Sequence, residues 1–532
     1  MEKKILFIPL DDRPYTFQMP VRMAKIAGFQ TVHPPREMLG RFLMPGDSDG
    51  ILKWLDAIKG KFDAAIIALD MPLYGGLVAS RRSEESINTV ESRLKLLYSI
   101  LRKHKERFGK IYLFNVLMRI APTYVDESLL FVAQEIIQFS KESYLAERGD
   151  EHAKKALESL RKSIPEGYVN DYLDARKRNH EINKKVVELS GEDFIDFLII
   201  CADDSSTVGL NVLEREKLEK IILERDLQTK TLIVPGTDET ACLLLARALV
   251  EITGFSASIM PIYSDPAGKK VTPRYEDRSY DEIVKLHIKA AGCMKALNRR
   301  MSDILFYLNV PPDVQKEAAS QKERTQKVRL LDNFIISIKN SLRAGKCVSV
   351  ADVYYANGAD LMFMKKLIEE INFLYLCGFA AWNTAGNSVG TALSHAVVRW
   401  ISEQIKTDTQ DEKLSMMKAH MHLIIERLAD DWIYQSEVRR KANIEAMLKQ
   451  SSVFYLGKDS EYFCSLIGKW MRDRLMKLFS EKIADMELTH CSGKTIKIKM
   501  PEKIDVCLPW SRLFEIELDI DFPVVCSYNI PG

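Results

Sequence analysis

Pairs of acidic residues follow short apolar runs of this chain, at the points where buried strands would end. Asp203 and Asp204 come directly after the apolar run at residues 197–202, and Asp238 and Glu239 follow the next such run. Ligand and catalytic residues of α/β folds lie just past the carboxyl ends of parallel strands. Two neighbouring carboxylates raise the pKa of one of them, which suits a general acid beside an ionised partner. We therefore predict that these four residues are catalytic, although one member of each pair could instead cap the following helix.

The first apolar run ends in the sequence Asp11-Asp12-Arg13-Pro14. Pro14 has no N–H group and therefore stops strand pairing. Arg13 could hold a neighbouring carboxylate, or an anionic group of a ligand, through a bidentate pair. We predict that Asp11, Asp12 and Arg13 bind substrate. The structural alternative is a strand cap with a solvated ion pair.

Amide, aromatic and basic residues lie near other predicted strand ends. A Trp ring offers a flat platform, and planar amides both donate and accept hydrogen bonds, which is what a polyol site needs. Paired glycines such as Gly75-Gly76 allow close approach of the backbone to a ligand. The predicted substrate-binding residues are Asp11, Asp12, Arg13, Tyr74, Gly75, Arg119, Asn357, Asp360, Trp382, Asn383 and Asn387.

Sequence motifs of several other catalytic classes are absent. The chain contains no Gly-x-Gly-x-x-Gly fingerprint, no P-loop and no His-Glu-x-x-His pair. Its nine cysteines include no Cys-x-x-Cys pair. We therefore predict no zinc site, assign no metal ligand and expect no cofactor. The strand-end carboxylates remain compatible with a divalent ion such as Mg²⁺.

The composition of the chain limits the classes of molecule that are expected to bind. The formal net charge is +2, from 76 basic and 74 acidic residues, so neither nucleic acid nor an anionic membrane is expected to bind. No stretch approaches the roughly 18 apolar residues that span a bilayer. Cysteines scattered through apolar runs predict reduced thiols and a cytoplasmic location. A small molecule is the expected partner, and the sequence leaves the oligomeric state open.

Strand-like runs alternate with helix-like runs over residues 1–393, which predicts an α/β catalytic domain with a mostly parallel sheet. Candidate residues follow many of these strands. A closed (β/α)₈-type barrel brings all its strand ends to one rim, whereas an open sheet uses those at its switch point. The barrel is therefore favoured, and two doubly wound lobes are the alternative. The residues expected to converge at one rim are Asp11, Asp12, Arg13, Asp203, Asp204, Asp238, Asp360 and Asn383.

Three segments depart from this alternation. Residues 121–193 are charged and helix-prone, and they leave a predicted strand beside Arg119. We expect them to form a helical insertion that makes a lid or rim wall. Residues 394–486 are predicted to form a helical region, and residues 487–532 a small β-rich extension.

Five motifs and the end of the chain carry a family resemblance. They are Leu10-Asp11-Asp12-Arg13-Pro14, Tyr74-Gly75-Gly76-Leu77, Pro235-Gly236-Thr237-Asp238-Glu239, Asn357-Gly358-Ala359-Asp360, Trp382-Asn383-Thr384-Ala385-Gly386-Asn387, and Leu508-Pro509-Trp510 with Phe514-Glu515. Together they resemble the bacterial family catalogued as domain of unknown function 4127, over nearly the whole chain. The resemblance implies no particular activity, so the functional prediction depends on the residues.

Paired carboxylates without zinc or thiol motifs, together with Trp and Asn near strand ends, predict a carbohydrate-active enzyme, and specifically a glycoside hydrolase. Such enzymes use one carboxylic acid as proton donor and one carboxylate as base, nucleophile or orienting group. Adjacent acids such as Asp203-Asp204 also resemble the arrangement in substrate-assisted hexosaminidases, which is an analogy at the level of the fold.

Two other functions stay open. One is a divalent-metal-dependent enzyme acting on a phosphorylated or carboxylated metabolite. In that case Mg²⁺ would be held by Asp11, Asp12, Asp203 and Asp238, and the anion by Arg13, Arg81 and Arg119. The other is a binding protein that uses the same residues without turnover.

Overall fold

Six parallel strands form the first sheet of the protein. The computed structural model describes residues 3–321, 328–407, 409–489 and 494–528. The six strands are β1 Lys4–Ile8, β2 Gln30–Val32, β3 Ala64–Ala68, β4 Lys110–Leu117, β5 Phe197–Ala202 and β6 Thr231–Pro235. Their order in the sheet is β2-β1-β3-β4-β5-β6. Because all neighbours run parallel, the six carboxyl ends lie along one edge.

The strands of this sheet form from continuous apolar runs. Every residue of β3 and of β5 is buried, because crossover helices cover both faces of a parallel sheet. Phe7 of β1 lies opposite Ile66 of β3, and Ile67 lies opposite Leu113 of β4. This register aligns the residues that follow each strand.

Twelve helices belong to the sequence around this sheet. They are α1 Met19–Ile26, α2 Ser48–Ala57, α3 Asp70–Tyr74, α4 Leu77–Ser80, α5 Ile87–Lys103, α6 Lys105–Phe108, α7 Leu130–Glu147, α8 Glu151–Ser163, α9 Glu166–Leu189, α10 Leu210–Glu224, α11 Thr240–Thr253 and α12 Tyr280–Ala290. Local sequence fixes their ends; for example, Ser86 caps α5 by accepting a hydrogen bond from the N–H of Thr89 at 3.1 Å. Helices α7, α8 and α9 make up most of the insertion between β4 and β5.

The second sheet has five parallel strands. In chain order the next strands are β7 Ser258–Tyr263, β8 Met294–Lys295, β9 Ile304–Asn309, β10 Lys316–Glu317, β11 Cys347–Asp352, β12 Tyr355–Ala356 and β13 Leu376–Ala380. The sheet runs β13-β11-β9-β7-β8, while β10 and β12 pair with each other as a separate two-stranded sheet.

Helices and antiparallel strands complete the chain. The helices are α13 Val328–Arg343, α14 Leu361–Glu370, α15 Ala385–Gln404, α16 Gln410–Arg427, α17 Arg439–Lys449 and α18 Ser460–Leu478. Short π-helical segments are Pro14–Gln18, Leu428–Val438 and Phe479–Ile483, and 3₁₀ turns are Arg36–Met38, Glu127–Leu129, Gly268–Lys270, Ala318–Ser320, Phe373–Tyr375 and Gly457–Asp459. The last strands are β14 Glu487–Thr489, β15 Lys494–Ile498, β16 Lys503–Cys507, β17 Glu517–Asp521 and β18 Val524–Tyr528. They form the antiparallel sheets β14-β15-β18 and β16-β17.

Both parallel sheets share one topology. In each, the second strand in sequence lies outside the first, and the later strands are added in order on the other side. This order creates a switch point beside the first strand, where open α/β sheets bind ligands. The switch points lie between β1 and β3 in one sheet and between β7 and β9 in the other.

The chain divides into two compact units. The first contains the described residues of Met1–Val21, Phe29–Ala248 and Arg274–Ala290, and the second those of Arg22–Gly28, Leu249–Pro273 and Ala291–Gly532. The core of the second unit joins β9 and β11 to α13, α14, α16 and α18 through side chains such as Phe363 and Ile467. The insertion of the first unit has a smaller core around Ile136 and Tyr172.

The predicted mixed α/β architecture with mostly parallel strands is confirmed. The favoured (β/α)₈-type barrel is not formed by the described strands, because β6 and β7 do not pair and the parallel strands separate into two open sheets. The open sheets are closer to the alternative of two doubly wound lobes. The domain boundaries suggested at residues 393 and 486 stay predictions. None of the described helices has both the length and the apolar character that crossing a membrane requires.

Candidate functional site

The candidate site of the first unit lies at the carboxyl edge of the six-stranded sheet. The segments after β1, β4, β5 and β6 contribute acidic and basic side chains there, and these pair with one another. Most of the carboxylates predicted from sequence belong to this group: Asp11, Asp12, Asp203, Asp204 and Asp238.

Arg13 joins the end of β1 to the end of β6. Its Nε and Nη2 donate to the carboxylate of Asp11 at 3.0 and 2.8 Å. Its Nη2 and Nη1 donate to Asp238 at 2.7 and 3.2 Å. All three side chains are buried. Burial raises the pKa of Asp238 to about 6, against the opposing effect of Arg13. A planar guanidinium suits such a double bridge, since it presents two edges of N–H donors.

Asp12 belongs to the same turn but points to other partners. Its backbone N–H donates to the carbonyl of Gly40 at 3.2 Å, and its carboxylate lies 3.8 Å from Nε of Arg36. The predicted group Asp11, Asp12 and Arg13 is therefore present as an interlocked, buried turn at the switch point of the sheet.

Asp203 and Asp204 follow β5, and each faces a different arginine. Nη2 of Arg81 donates to Asp203 in a short ion pair, and Nη1 of Arg119 lies 3.2 Å from Oδ2 of Asp204. The Asp203 side chain is 8% exposed, whereas that of Asp204 is 31% exposed. Burial raises the pKa of Asp204, and the charge of Asp203 raises it further. The two neighbours therefore differ in their ion-pair partner and in their exposure.

The backbone at Asp204 is strained. Its φ is +27°, which is unfavourable for a residue that has a Cβ atom. Strained φ values of this kind persist where surrounding structure imposes them, and they concentrate at ligand and catalytic sites. The residue with this φ is the one that pairs with Arg119.

Arg81 and Arg119 meet at the hydroxyl of Thr123. Arg119 donates to Thr123 Oγ1 at 2.9 Å and Arg81 at 3.3 Å. Arg119 is also held by the carbonyls of Ala121 and Pro122, at 2.9 and 3.1 Å. Burial and then the charge of Arg81 lower the pKa of Arg119 to about 10. The loop after β4 thus fixes two guanidinium groups beside the acidic pair.

A cavity of about 540 Å³ adjoins this arrangement. Arg81 and Thr123 line the cavity, so the cavity lies beside the ion pair of Arg81 with Asp203. Its lining residues are Leu43, Arg81, Arg82, Glu84, Pro122, Thr123, Tyr124, Val125, Asp126, Leu129, Pro165, Gly167, Tyr168, Asp171 and Tyr172. Most of them come from the helical insertion, as the predicted rim wall requires.

The insertion is anchored to the end of β4. Arg176 of α9 donates to the carbonyls of Arg119 and Met118 at 2.8 and 3.2 Å. The hydroxyl of Tyr172 donates to the carbonyl of Ile120 at 2.9 Å. Arg176 also pairs with Glu214 of α10 at 2.6 Å. These buried bonds hold the rim wall at the carboxyl end of the strands.

Glu239 is buried behind the site. It is 0% exposed, and its Oε1 lies 3.2 Å from Nε2 of His287 on α12. Nδ1 of His287 is bonded to the carbonyl of Ile283 at 2.8 Å. A side chain enclosed in this way does not contact a substrate directly. Glu239 differs in this respect from Asp204, whose side chain is 31% exposed.

Tyr74 and Gly75 pack against the protein itself. The ring of Tyr74 is buried and lies under the guanidinium of Arg178, whose carbon is 4.8 Å from the ring centre. Gly75 has a φ of +89°, and a Cβ atom there would lie 2.8 Å from the backbone N of Gly46. The close backbone approach that the glycine allows is therefore made to the chain's own loop.

The other predicted substrate-binding residues lie in the second unit, after β11 and β13. Asn357 donates its N–H to the carbonyl of Asn383 at 2.9 Å, and φ is +62° and +54° at these two residues. Asp360 caps α14 by accepting from the N–H of Met362 at 3.0 Å. Trp382 and Asn387 are buried. Since these residues and the Asp203-Asp204 pair follow strands of different sheets, the expected single rim of one barrel is not formed.

A buried polar group surrounds these residues of the second unit. Asn309 donates to Asp352 at 2.8 Å, and the N–H of Asp360 donates to the same carboxylate at 2.7 Å. Burial and the charge of Asp360 raise the pKa of Asp352 to about 7. Asp431 accepts from the N–H of Ala381 at 2.7 Å. These bonds fix the loops at the carboxyl end of the second sheet.

A family model described as "Protein of unknown function (DUF4127)" matches residues 5–519. The chain belongs to this family. Neither a curated protein nor a solved structure matches the chain. The predicted family is thus confirmed, and the family description adds no activity to the geometry.

Three features of this DUF4127 member escaped the sequence reasoning. Asp70 follows β3 and is buried, and burial raises its pKa to about 7. Its position after an apolar run was the available signal. The tyrosines of the cavity come from a segment without strand pattern, and the His287 partner of Glu239 comes from a distant helix, so neither had a local signal.

One sequence motif that is typical of a serine nucleophile does not form an exposed nucleophile in the structure. Residues 386–390 match Gly-x-Ser-x-Gly, the pattern of an exposed nucleophile at a strand-to-helix turn. Ser388 lies instead inside the first turns of α15, where it is buried and donates to the carbonyl of Trp382 at 2.6 Å. Within the described residues, no group of three or more His, Cys, Asp or Glu side chains is arranged to hold a metal ion.

Proposed function

We propose that the protein is a carbohydrate-active hydrolase in which Asp204 is the general acid. The proposal depends on the different environments of two adjacent carboxyl groups, those of Asp203 and Asp204. Asp203 forms an ion pair with Arg81, whereas the pKa of Asp204 is raised by burial and by the charge of Asp203. Glycoside hydrolysis needs such a pair, with one carboxyl group protonated and the other ionised.

The roles follow from the environments of the two groups. Asp204 would protonate the departing glycosidic oxygen, because it is the more exposed member and the one whose protonated form is favoured. Asp203 would orient the substrate or stabilise positive charge that develops at the sugar ring. Arg81 holds the Asp203 carboxylate in position, and Arg119 holds the carboxyl group of Asp204 in position.

The adjoining cavity supports a sugar as substrate. Its volume of about 540 Å³ is in the usual range for small-molecule sites. Tyr124, Tyr168 and Tyr172 line it, and the rings of Tyr124 and Tyr168 lie 5.5 Å apart at 73°. Aromatic rings stack on the apolar faces of sugars, while tyrosine hydroxyls can bond to sugar hydroxyls.

A panel of nitrophenyl glycosides, including N-acetylated sugars, tests the proposal with the full-length protein between pH 4 and pH 8. We expect release of nitrophenol from at least one glycoside, and a loss of roughly a hundredfold or more in Asp204→Asn. Asp203→Asn, with the same change of side chain one residue away, is the matched variant. Hydrolysis that persists unchanged in folded Asp204→Asn would remove the general acid from the mechanism.

A second candidate is an enzyme acting on an anionic metabolite, and one observation favours it. Arg81 and Arg119 converge on Thr123 at the cavity wall, and such paired guanidinium groups bind phosphate or carboxylate well. Inorganic phosphate should then raise the melting temperature of the wild type but not that of Arg119→Gln. Activity that requires Mg²⁺ and is lost with EDTA would favour this candidate over the glycosidase.

A further inference from the structure

Two cysteines of the second unit lie side by side on neighbouring strands. Cys347 begins β11, and Cys377 lies in β13, which pairs with β11. Val348 is opposite Leu376 and Ser349 is opposite Gly378, so Cys377 is an extra residue in the register of β13. Bulges of this kind re-aim a side chain, and the side chains of Cys377 and Cys347 lie within hydrogen-bonding reach of each other.

Both thiols open into a small cavity. It has a volume of about 190 Å³ and is lined by Cys347 and Cys377 together with Arg399, Glu403 and His420. Both cysteines are partly exposed, whereas Cys201, Cys242 and Cys293 are buried. The cavity is therefore the route by which a small reagent would approach this pair.

Charged side chains line the cavity, and the charge of Arg399 lowers the pKa of both thiols while that of Glu403 raises it. Arg399 and Glu403 come from α15 and form an ion pair at 2.5 Å, and Lys346 precedes β11 at the cavity wall. His420 comes from α16, and burial together with the charge of Arg399 lowers its pKa.

The two thiols also affect each other. The pKa of Cys377 is lowered, first by its hydrogen bond with Cys347 and then by Arg399. The pKa of Cys347 is raised by the same hydrogen bond and by burial. One thiol is thus more nucleophilic and the other holds the shared proton, which is the division of roles in dithiol redox sites.

We propose that Cys347 and Cys377 form a redox site that hydrogen peroxide oxidises reversibly to a disulfide across β11 and β13. The Cys377 thiolate attacks one peroxide oxygen, the O–O bond breaks, and the departing hydroxide takes up a proton to become water. This step leaves a sulfenic acid on Cys377. The Cys347 sulfur then attacks the Cys377 sulfur, the S–O bond breaks, and a second water leaves with the remaining thiol proton. Two thiols are oxidised and one peroxide is reduced to two waters.

The disulfide would join two strands whose carboxyl ends carry Asp352 and Trp382. Both strands pack against α15, where the Ser349 hydroxyl donates to the carbonyl of Ala392 at 2.9 Å. A covalent link between Cys347 and Cys377 would therefore tie the edge strand β13 to its neighbour β11. Oxidation of Cys347 and Cys377 is independent of the proposed hydrolase activity, because the experiment measures only the state of the thiols.

The test uses the reduced full-length protein, hydrogen peroxide, alkylation with N-ethylmaleimide, proteolysis and mass spectrometry. We expect a cross-linked peptide pair joining Cys347 to Cys377, and its disappearance after dithiothreitol. Loss of free thiol at Cys377 should be roughly tenfold faster than at Cys464, which is also partly exposed and whose thiol donates to the carbonyl of Val506 at 3.8 Å. Cross-links found only between separate molecules would overturn the proposal, and so would equal alkylation of both cysteines before and after peroxide.

Single variants separate the two roles. In Cys347→Ser, Cys377 should stop at the sulfenic acid, which dimedone traps, and no cross-link should form. In Cys377→Ser no cross-link should form, and dimedone should trap Cys347 more slowly than it traps Cys377 in Cys347→Ser, because burial still raises the pKa of Cys347. Cys464→Ser is the matched control and should cross-link as the wild type does. A dimedone adduct on Cys347 in Cys377→Ser, at the rate seen for Cys377, would contradict the assigned order of attack.

Discussion

Arg13 and Asp238 are 225 residues apart in sequence, yet Nη2 of Arg13 lies 2.7 Å from Oδ1 of Asp238. Between their strands, β1 and β6, lie β3, β4 and β5. Strands of a flat sheet are spaced by about 4.8 Å, so these two would be roughly 19 Å apart. The segments after β1 and β6 therefore converge over the ends of the intervening strands, and the Arg13 bridge holds them there.

Arg13→Lys should destabilise the first unit. A lysine keeps the charge but cannot bridge Asp11 and Asp238 with paired N–H donors, and a buried carboxylate is left poorly compensated. We expect the free energy of unfolding to fall by roughly 2 kcal/mol, measured by urea denaturation. Arg102→Lys is the matched control, because its pair with Glu192 is largely exposed and should change stability little. Equal stability of the two variants would contradict a structural role for the bridge.

Asp204→Asn should separate catalysis from folding. Asparagine cannot donate the proton, so kcat should fall by roughly a hundredfold or more once a substrate is found. Thermal melting should show little loss, because removal of one of two adjacent carboxylates relieves repulsion by Asp203. A strongly destabilised variant whose activity falls only with the folded fraction would support a structural role instead.

Arg119→Gln should move the pH profile of kcat. Arg119 lowers the pKa of Asp204 against the larger effect of burial, so its removal should raise that pKa further. The general acid then stays protonated to higher pH, and the falling limb of the profile should shift toward the basic side. Arg148→Gln, at an exposed pair with Glu216, should leave the profile in place. A shift toward acid pH would mean that Asp204 is not the proton donor.

Asp70→Asn should reduce the pH dependence of stability. Burial raises the pKa of Asp70 from 3.8 to about 7, so between these pH values the folded state binds more protons than the unfolded state. Wild-type stability should therefore fall as pH rises from about 4 to about 7, by up to roughly 4 kcal/mol from this group. Asparagine carries no charge and can still accept from the N–H of Val116, which lies 3.0 Å from Oδ2.

The measurement for Asp70 is the free energy of unfolding at pH 5 and at pH 8 for both proteins. The variant should gain stability over the wild type at pH 8 and lose that advantage at pH 5. Asp126→Asn, an exposed position, is the control and should follow the wild type across this range. A difference between Asp70→Asn and wild type that is independent of pH would show that Asp70 does not titrate as stated.

Tyr168→Ala should weaken substrate binding with little effect on stability. Tyr168 is partly exposed and forms one wall of the cavity with Tyr124. Loss of one stacking ring should raise KM by roughly tenfold and leave kcat nearly unchanged. Tyr144→Ala removes a ring from the same insertion outside the cavity lining and should leave KM unchanged. Equal effects of the two variants on KM would show that this cavity does not bind the substrate.

Local patterning in the sequence predicts the secondary-structure elements and the residue types at the strand ends. A short, continuous apolar run such as 197–202, followed by acidic residues, is typical of a buried strand that ends at a sheet edge. For this reason the sequence predicts Asp11, Asp203 and Asp238 at the carboxyl ends of strands, which is where the structure places them. Residues 121–193 were recognised as a helical insertion for the same kind of reason, since they lack strand pattern.

The membership of each sheet and the pairing of side chains follow from the folded chain and have no local signal. Strand order depends on pairing between distant segments, and no local pattern tells one closed barrel from two open sheets of the same strands. Arg81 meets Asp203 across 122 residues, and Glu239 meets His287 across 48. Burial and the charge of Asp203 raise the pKa of Asp204, and Glu239 is enclosed beside His287, because pKa values and side-chain burial depend on three-dimensional surroundings rather than on adjacency in sequence.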